Sequence, residues 1–120
     1  MNNYILEKRT TESIWYDIDC THILDTTEII TSITSITADQ EGLVFLAPAI
    51  NVVPVTFPDG ITAAIGKVIS VQISEGTIPT GATNQIYTIR PLFDTSDGNI
   101  RESTVLLNVT NIPFQTGRII

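Results

Sequence analysis

Side-chain type alternates at period two over residues 83–90 and again over 100–109. Between these arms lies Asp97-Gly98, a pair that favours the positive φ values of tight hairpins. The pattern predicts the last hairpin of a small β-sandwich. Residues 67–74 alternate as cleanly, with Ile69, Val71 and Ile73 opposing Ser70, Gln72 and Ser74, which predicts a strand with one wet face. Nearer the start, residues 13–24 predict a strand. Its buried face is Ile14, Tyr16, Ile18, Cys20, His22 and Leu24, and Trp15, Asp17, Asp19 and Thr21 lie opposite. The following Asp25-Thr26-Thr27-Glu28 is a polar break.

The triplets Ile30-Thr31-Ser32, Ile33-Thr34-Ser35 and Ile36-Thr37-Ala38 repeat with period three, which fits neither strand nor helix. A bulged strand resolves the mismatch, letting Ile30 or Ile33 and then Ile36 face one core. Residues 42–57 predict two short apolar strands on either side of Ala47-Pro48-Ala49, closed by a Pro58-Asp59-Gly60 turn. Residues 61–65 read equally as helix or extended chain, and 75–82 as a loop punctuated by Gly, Pro and Thr. The expected organisation is an N-terminal arm or edge strand over 1–12, an immunoglobulin-like antiparallel β-sandwich over 13–110 with an extended middle segment at 47–65, and a C-terminal arm over 111–120. Seven to nine strands are expected at this spacing.

Composition supports the all-β reading. Ile, Val and Thr supply 46 of the 120 residues, and β-branched side chains lose χ1 freedom in helices while packing well on sheets. A chain of this length makes one domain and buries a core without disulfides. The net charge is −7 and the six basic residues are scattered from Lys8 to Arg118. Nucleic acid is therefore excluded as an expected partner, because phosphate binding needs clustered cations. The longest apolar tract, 42–55, is interrupted by Pro48, Asn51 and Pro54 and falls short of the roughly 20 residues that span a bilayer. Residues 1–9 lack the charged and apolar regions of a secretory signal. The lone Cys20 forms no internal disulfide. A protein made in a cytoplasm, without a membrane partner, is expected.

Chemistry-bearing residues are few. Asp17, Asp19, Cys20 and His22 form the densest polar cluster, and a Cys with a His is the minimum for a thiolate nucleophile. On a regular strand the carboxylates project away from Cys20 and His22, so no catalytic residue is expected, and no cofactor either. Asp17 with Asp19, or the loop Asp94-Thr95-Ser96-Asp97-Gly98-Asn99, has some character of a Ca²⁺ site, but the loop lacks the bidentate Glu that closes an EF-hand; no metal is expected. Asn108-Val109-Thr110 matches the glycosylation sequon, which matters only on a secretory route. Tyr16, Tyr87 and Phe93 fall on inward faces and read as core rather than a sugar-stacking platform. Trp15 is on the polar face and reads as a partner anchor.

Tyr16-Asp17-Ile18-Asp19, then Gly81 with Tyr87-Thr88-Ile89, then Ser96-Asp97-Gly98, Arg101-Glu102-Ser103 and Val105-Leu106-Leu107-Asn108-Val109 resemble a family of small tailed-bacteriophage virion proteins. That family often carries Tyr-x-x-Asp-Trp near its start and a closing Gly-x-x-x-x-x-Tyr-x-Val hairpin. The resemblance covers both ends of the chain. It departs at Cys20, where relatives often carry Trp, and in the longer 47–65 middle. It implies an immunoglobulin-like fold and a role as fiber-tail adaptor or related head and tail component.

The expectation is a non-enzymatic virion structural protein, most of all a tail or fiber adaptor, homo-oligomeric in the particle and docked on other virion proteins. The run from Leu43 to Phe57 has more apolar content than one small sandwich face absorbs, and such surplus marks interfaces. Partner-binding residues are expected at Trp15, Phe45, Val53, Phe57, Phe114, Ile119 and Ile120. Two alternatives stand beside this: a decoration protein of the phage head, and an immunoglobulin-like carbohydrate or cell-surface module with Trp15 and the loops near Asp25 and Asp94 as its site.

Overall fold

The computed structural model describes residues 5–111. Ten strands form: β1 (Ile5–Lys8), β2 (Ile14–Asp19), β3 (Ile30–Ala38), β4 (Leu43–Ile50), β5 (Val55–Thr56), β6 (Thr62–Ala63), β7 (Val68–Glu75), β8 (Asn84–Thr95), β9 (Ile100–Glu102) and β10 (Val105–Thr110). One sheet has the order β1-β10-β8-β3 with β9 on β8, the second is β2-β7-β4, and β5 and β6 make a small hairpin of their own. All pairings are antiparallel except β1 with β10. The two larger sheets make a β-sandwich whose strand order is compatible with the immunoglobulin-like arrangement, β2-β7-β4 corresponding to its B, E and D strands. The strand count exceeds the expected seven to nine because β5, β6 and β9 are segments of two or three residues.

Tyr87, Ile89, Phe93, Leu107 and Val109 from the first sheet meet Ile18, Ile69, Val71 and Ile73 from the second in one buried cluster. Each such side chain contributes roughly 1.5–3 kcal/mol by leaving water. The triplet repeat becomes β3, with register shifts between Ile30 and Ser32 and between Ile33 and Ser35. Those two bulges turn Ile30, Ile33 and Ile36 toward the same core despite their spacing. Pro91 lies inside β8 where the chain beside it breaks between β9 and β10, so its missing N–H leaves no ladder bond unmade while its carbonyl accepts from Ser103 N at 3.0 Å. The terminal hairpin turns at Gly98, with φ +80° and Gly98 N donating to Thr95 O at 3.1 Å.

Tyr87 ties the β7–β8 corner. Its hydroxyl accepts from Thr77 N at 2.9 Å and lies 3.2 Å from Thr77 O, the tyrosine-corner arrangement of immunoglobulin-like sandwiches. Gly42 leaves room for it: a Cβ there would stand 2.8 Å from the Tyr87 oxygen.

Two strand expectations are corrected. The strand predicted over 13–24 ends at Asp19, and a 3-10 turn follows at Thr21–Ile23. Asp19 Oδ1 accepts from both Thr21 N and Thr21 Oγ1, at 2.9 and 2.6 Å, which turns the chain out of the sheet and leaves His22 exposed. In the middle segment Ala47-Pro48-Ala49 does not divide two strands; β4 runs through it with a register shift between Leu46 and Ala49 and Ala47 at φ +49°. Pro48 fits because β4 is an edge strand, free of a ladder bond on one side. Residues 61–65, open between helix and extended chain, supply β6. No helix among the described residues is long and apolar enough to cross a membrane.

Candidate functional site

Among the described residues β2 pairs only with β7, and β1 only with β10. The place beside β2, where strand A completes a four-stranded ABED sheet in immunoglobulin-like domains, is taken by none of the described strands. A groove of about 890 Å³ lies there. Ile5 and Leu6 of β1 and Leu106 of β10 form one wall, Trp15, Tyr16 and Ile18 of β2 the other. The tip of the β5–β6 hairpin, Phe57 to Ile61, caps one end. At the other end the Tyr16 hydroxyl donates to Glu7 O at 2.5 Å, joining β2 to β1. Burial, with the carboxylates of Glu12 and Glu7 adding to it, pushes the Tyr16 phenol up to about 12.

The groove is apolar with an acidic rim. Trp15 is 55% exposed, and Ile5, Ile61 and Leu106 are also exposed. Asp17, Asp19 and Asp59 line it, and none of the described lining residues is Lys or Arg. Each carboxylate is oriented by a neighbour: Asp17 accepts from Ser70 Oγ, Asp19 from Thr21, and Asp59 from Ile61 N at 3.0 Å.

A polar clamp holds the loop that follows Thr21 and His22. Glu28 is wholly buried, and its carboxylate accepts from Arg101 Nε at 3.0 and 3.1 Å, Asn99 Nδ2 at 2.9 Å, Thr95 Oγ1 and Asp25 N. Arg101 Nη2 completes the ion pair at 3.0 Å. The Arg101 hydrogen bonds, then that of Thr95, hold the Glu28 carboxyl far below the usual carboxylate range. Beside it Lys67, nearly buried, donates from Nζ to Asp25 O, Thr26 O and Glu28 O at 2.9, 3.0 and 2.7 Å. The clamp anchors the 25–28 loop behind Thr21 and His22 on one groove wall and sits two residues before Ser103 on the other.

The other candidate chemistry resolves against this frame. Cys20 is fully buried, its Sγ 3.8 Å from Ile18 O, and burial pushes the thiol up to about 12. It stays protonated at neutral pH, while His22 stands in solvent. Ellman's reagent at pH 8 is expected to leave native Cys20 unmodified and to titrate one thiol per chain once guanidinium unfolds it; fast native labelling contradicts this placement. Asp25, Glu28 and Asp97 bring carboxylate oxygens within 4.8 Å of one another, a geometry open to a cation. Arg101 already neutralises Glu28 there. The sequon residue Asn108 accepts from Asn84 Nδ2 on β8 at 2.8 Å.

Of the expected partner residues, Trp15 and Phe57 both line the groove. Val53 is exposed beside Val52, itself 81% exposed, outside the groove. Phe45 packs instead against the core, because alternation along β4 turns it inward and Val44 and Leu46 outward. Phe114, Ile119 and Ile120 lie outside the described residues. Tyr87 and Phe93 are core, as expected, and Tyr16 is half core and half groove floor. The Glu28–Arg101 pair and buried Lys67 carry no sequence signal beyond the Asp25–Glu28 spacing, in which Glu28 Oε1 accepts from Asp25 N.

Fold and groove together define an all-β sandwich with an open strand position. No protein-family model matches the chain, and no curated protein matches it.

Proposed function

We propose that the chain is a non-enzymatic structural protein of a tailed-bacteriophage virion, acting as an adaptor that holds tail or fiber proteins through its groove and strand edges. The observation that carries this reading is the edge of β2, unpaired among the described residues, beside an apolar groove. Unpaired edges are ready templates for another chain, and soluble monomers usually blunt them. Exposed Val44, Leu46, Val52 and Ile65 enlarge the apolar surface beyond the groove. The phage assignment itself comes from the sequence resemblance at the two ends of the chain, which Tyr87 and Ser96-Asp97-Gly98 help to carry.

Quantitative mass spectrometry of purified virions of the source phage tests this. About six or twelve copies per particle are expected for a cyclic tail assembly. Copies in the hundreds assign the protein to decoration of the head, and absence from the particle overturns the virion reading. The carbohydrate-module reading has one observation in its favour: Trp15, Gln72 and Leu46 share a cross-strand row on the second sheet. Absence from virions together with glycan binding is the result that would select it.

A further inference from the structure

We propose that the groove receives an extended strand of a partner protein, paired along the free edge of β2, in which cationic side chains alternate with apolar ones. The inference rests on the assembly reading above and names the chemistry of the partner.

The pattern follows from β2 itself. Trp15, Asp17 and Asp19 alternate with the inward Tyr16 and Ile18, so a strand added alongside presents its own side chains alternately to these two faces. On the inward side it meets Tyr16, Ile18 and Leu6, largely apolar surface, with the exposed Ile5 and Leu106 at the groove's margin. That side selects Val, Ile, Leu or Phe. On the outward side it lies across from Asp17 and Asp19, two carboxylates spaced by one strand repeat and held in place by Ser70 and Thr21. Cross-strand opposite charges stabilise a pair and like charges destabilise it, so that side selects Arg or Lys at positions two apart. Asp59 at the hairpin tip also lines the groove, and among the described lining residues none is Lys or Arg. The whole chain, at −7, reinforces the preference and speeds encounter with a cationic segment. Because β2 is six residues long, a partner segment of about that length fills the edge.

Trp15 is the only tryptophan and stands at the groove, so its emission reports occupancy directly. The probe is the capped heptapeptide Val-Arg-Val-Arg-Val-Thr-Val, compared with the same peptide carrying Glu for both Arg, and with one N-methylated at alternate backbone nitrogens. Titrated into the full chain at low salt, the cationic peptide is expected to shift Trp15 emission to the blue saturably. The acidic and N-methylated peptides are expected to bind at least about 10-fold more weakly. In a D17N/D19N variant whose thermal midpoint matches the parent, affinity for the cationic peptide should fall by about 10-fold. Equal binding of all three peptides, or none by the cationic one, overturns the proposal. So does binding that requires deletion of residues 112–120, which would give the groove to the chain's own terminal segment. Virion copy number is read separately, so the peptide result and the adaptor reading fail independently.

Discussion

Replacing Glu28 by Gln is expected to lower the thermal midpoint by roughly 10 °C, because it neutralises the buried member of an ion pair whose other member, Arg101, is partly exposed. Arg101 would keep its charge with Asp25, 3.8 Å away, and the nearby Asp97 as its remaining carboxylates among the described residues. Thr95 Oγ1, Asn99 Nδ2 and Asp25 N would share an uncharged carboxamide in place of a carboxylate that now accepts from each of them. Hydrogen bonds to a charged acceptor are about twice as strong as neutral ones, so every member of the clamp weakens together. Circular dichroism melts of parent and variant measure the difference. A shift of only a degree or two would mean that the clamp contributes little.

The same pair sets a pH dependence. Glu28 in the folded chain binds its proton far less readily than a free Glu, whose pKa is about 4.3. Between these two values the unfolded state binds more protons than the folded one, so the pair's contribution is complete above about pH 5 and is lost as the pH falls. The parent should therefore lose thermal stability on acidification more steeply than Glu28→Gln, and the two curves should converge at low pH. Parallel curves would contradict the assignment. Arg101→Lys, which keeps the charge but not the forked geometry, is expected to fall between parent and Glu28→Gln at neutral pH.

Period-two alternation carried most of the fold. It located β7, β8 and β10, and it assigned Ile69, Val71 and Ile73 to the core because both neighbours of β7 leave its alternate face in water. The bulged β3 was legible because three Ile residues at period three have one sheet solution. What failed was local competition with that pattern. Alternation from Ile14 to Leu24 continues on paper, but Asp19 bonds the backbone two residues on and ends the strand. Pro48 resembles a break, yet an edge strand tolerates it. The groove was half legible: Trp15 on a polar face announced a contact residue, and Phe57 followed from surplus apolar content. Its walls were not, because Ile5 and Leu106 come side by side at the groove only once a parallel β1–β10 pairing is known. Nor does a sequence mark which Glu and Arg meet when 73 positions separate them.

Lys67→Met is the second substitution with a large expected effect, about 3 kcal/mol of destabilisation. The methionine fills similar volume along the stem, so the loss falls on the ammonium. Three carbonyls of the 25–28 loop, those of Asp25, Thr26 and Glu28, then lose their donor in a nearly buried site. Because Lys67 holds the loop by its backbone and Arg101 holds it by the Glu28 side chain, either change loosens what the other grips. The double variant should therefore be less destabilised than the two single losses added, by about 1 kcal/mol. Urea denaturation of the four proteins in the cycle measures it. Strict additivity would mean that the two cations act on independent structures. Coupling would show that the loop behind Thr21 and His22 is one clamped unit, and each single variant should then also weaken binding of the cationic strand to the groove whose wall that unit supports.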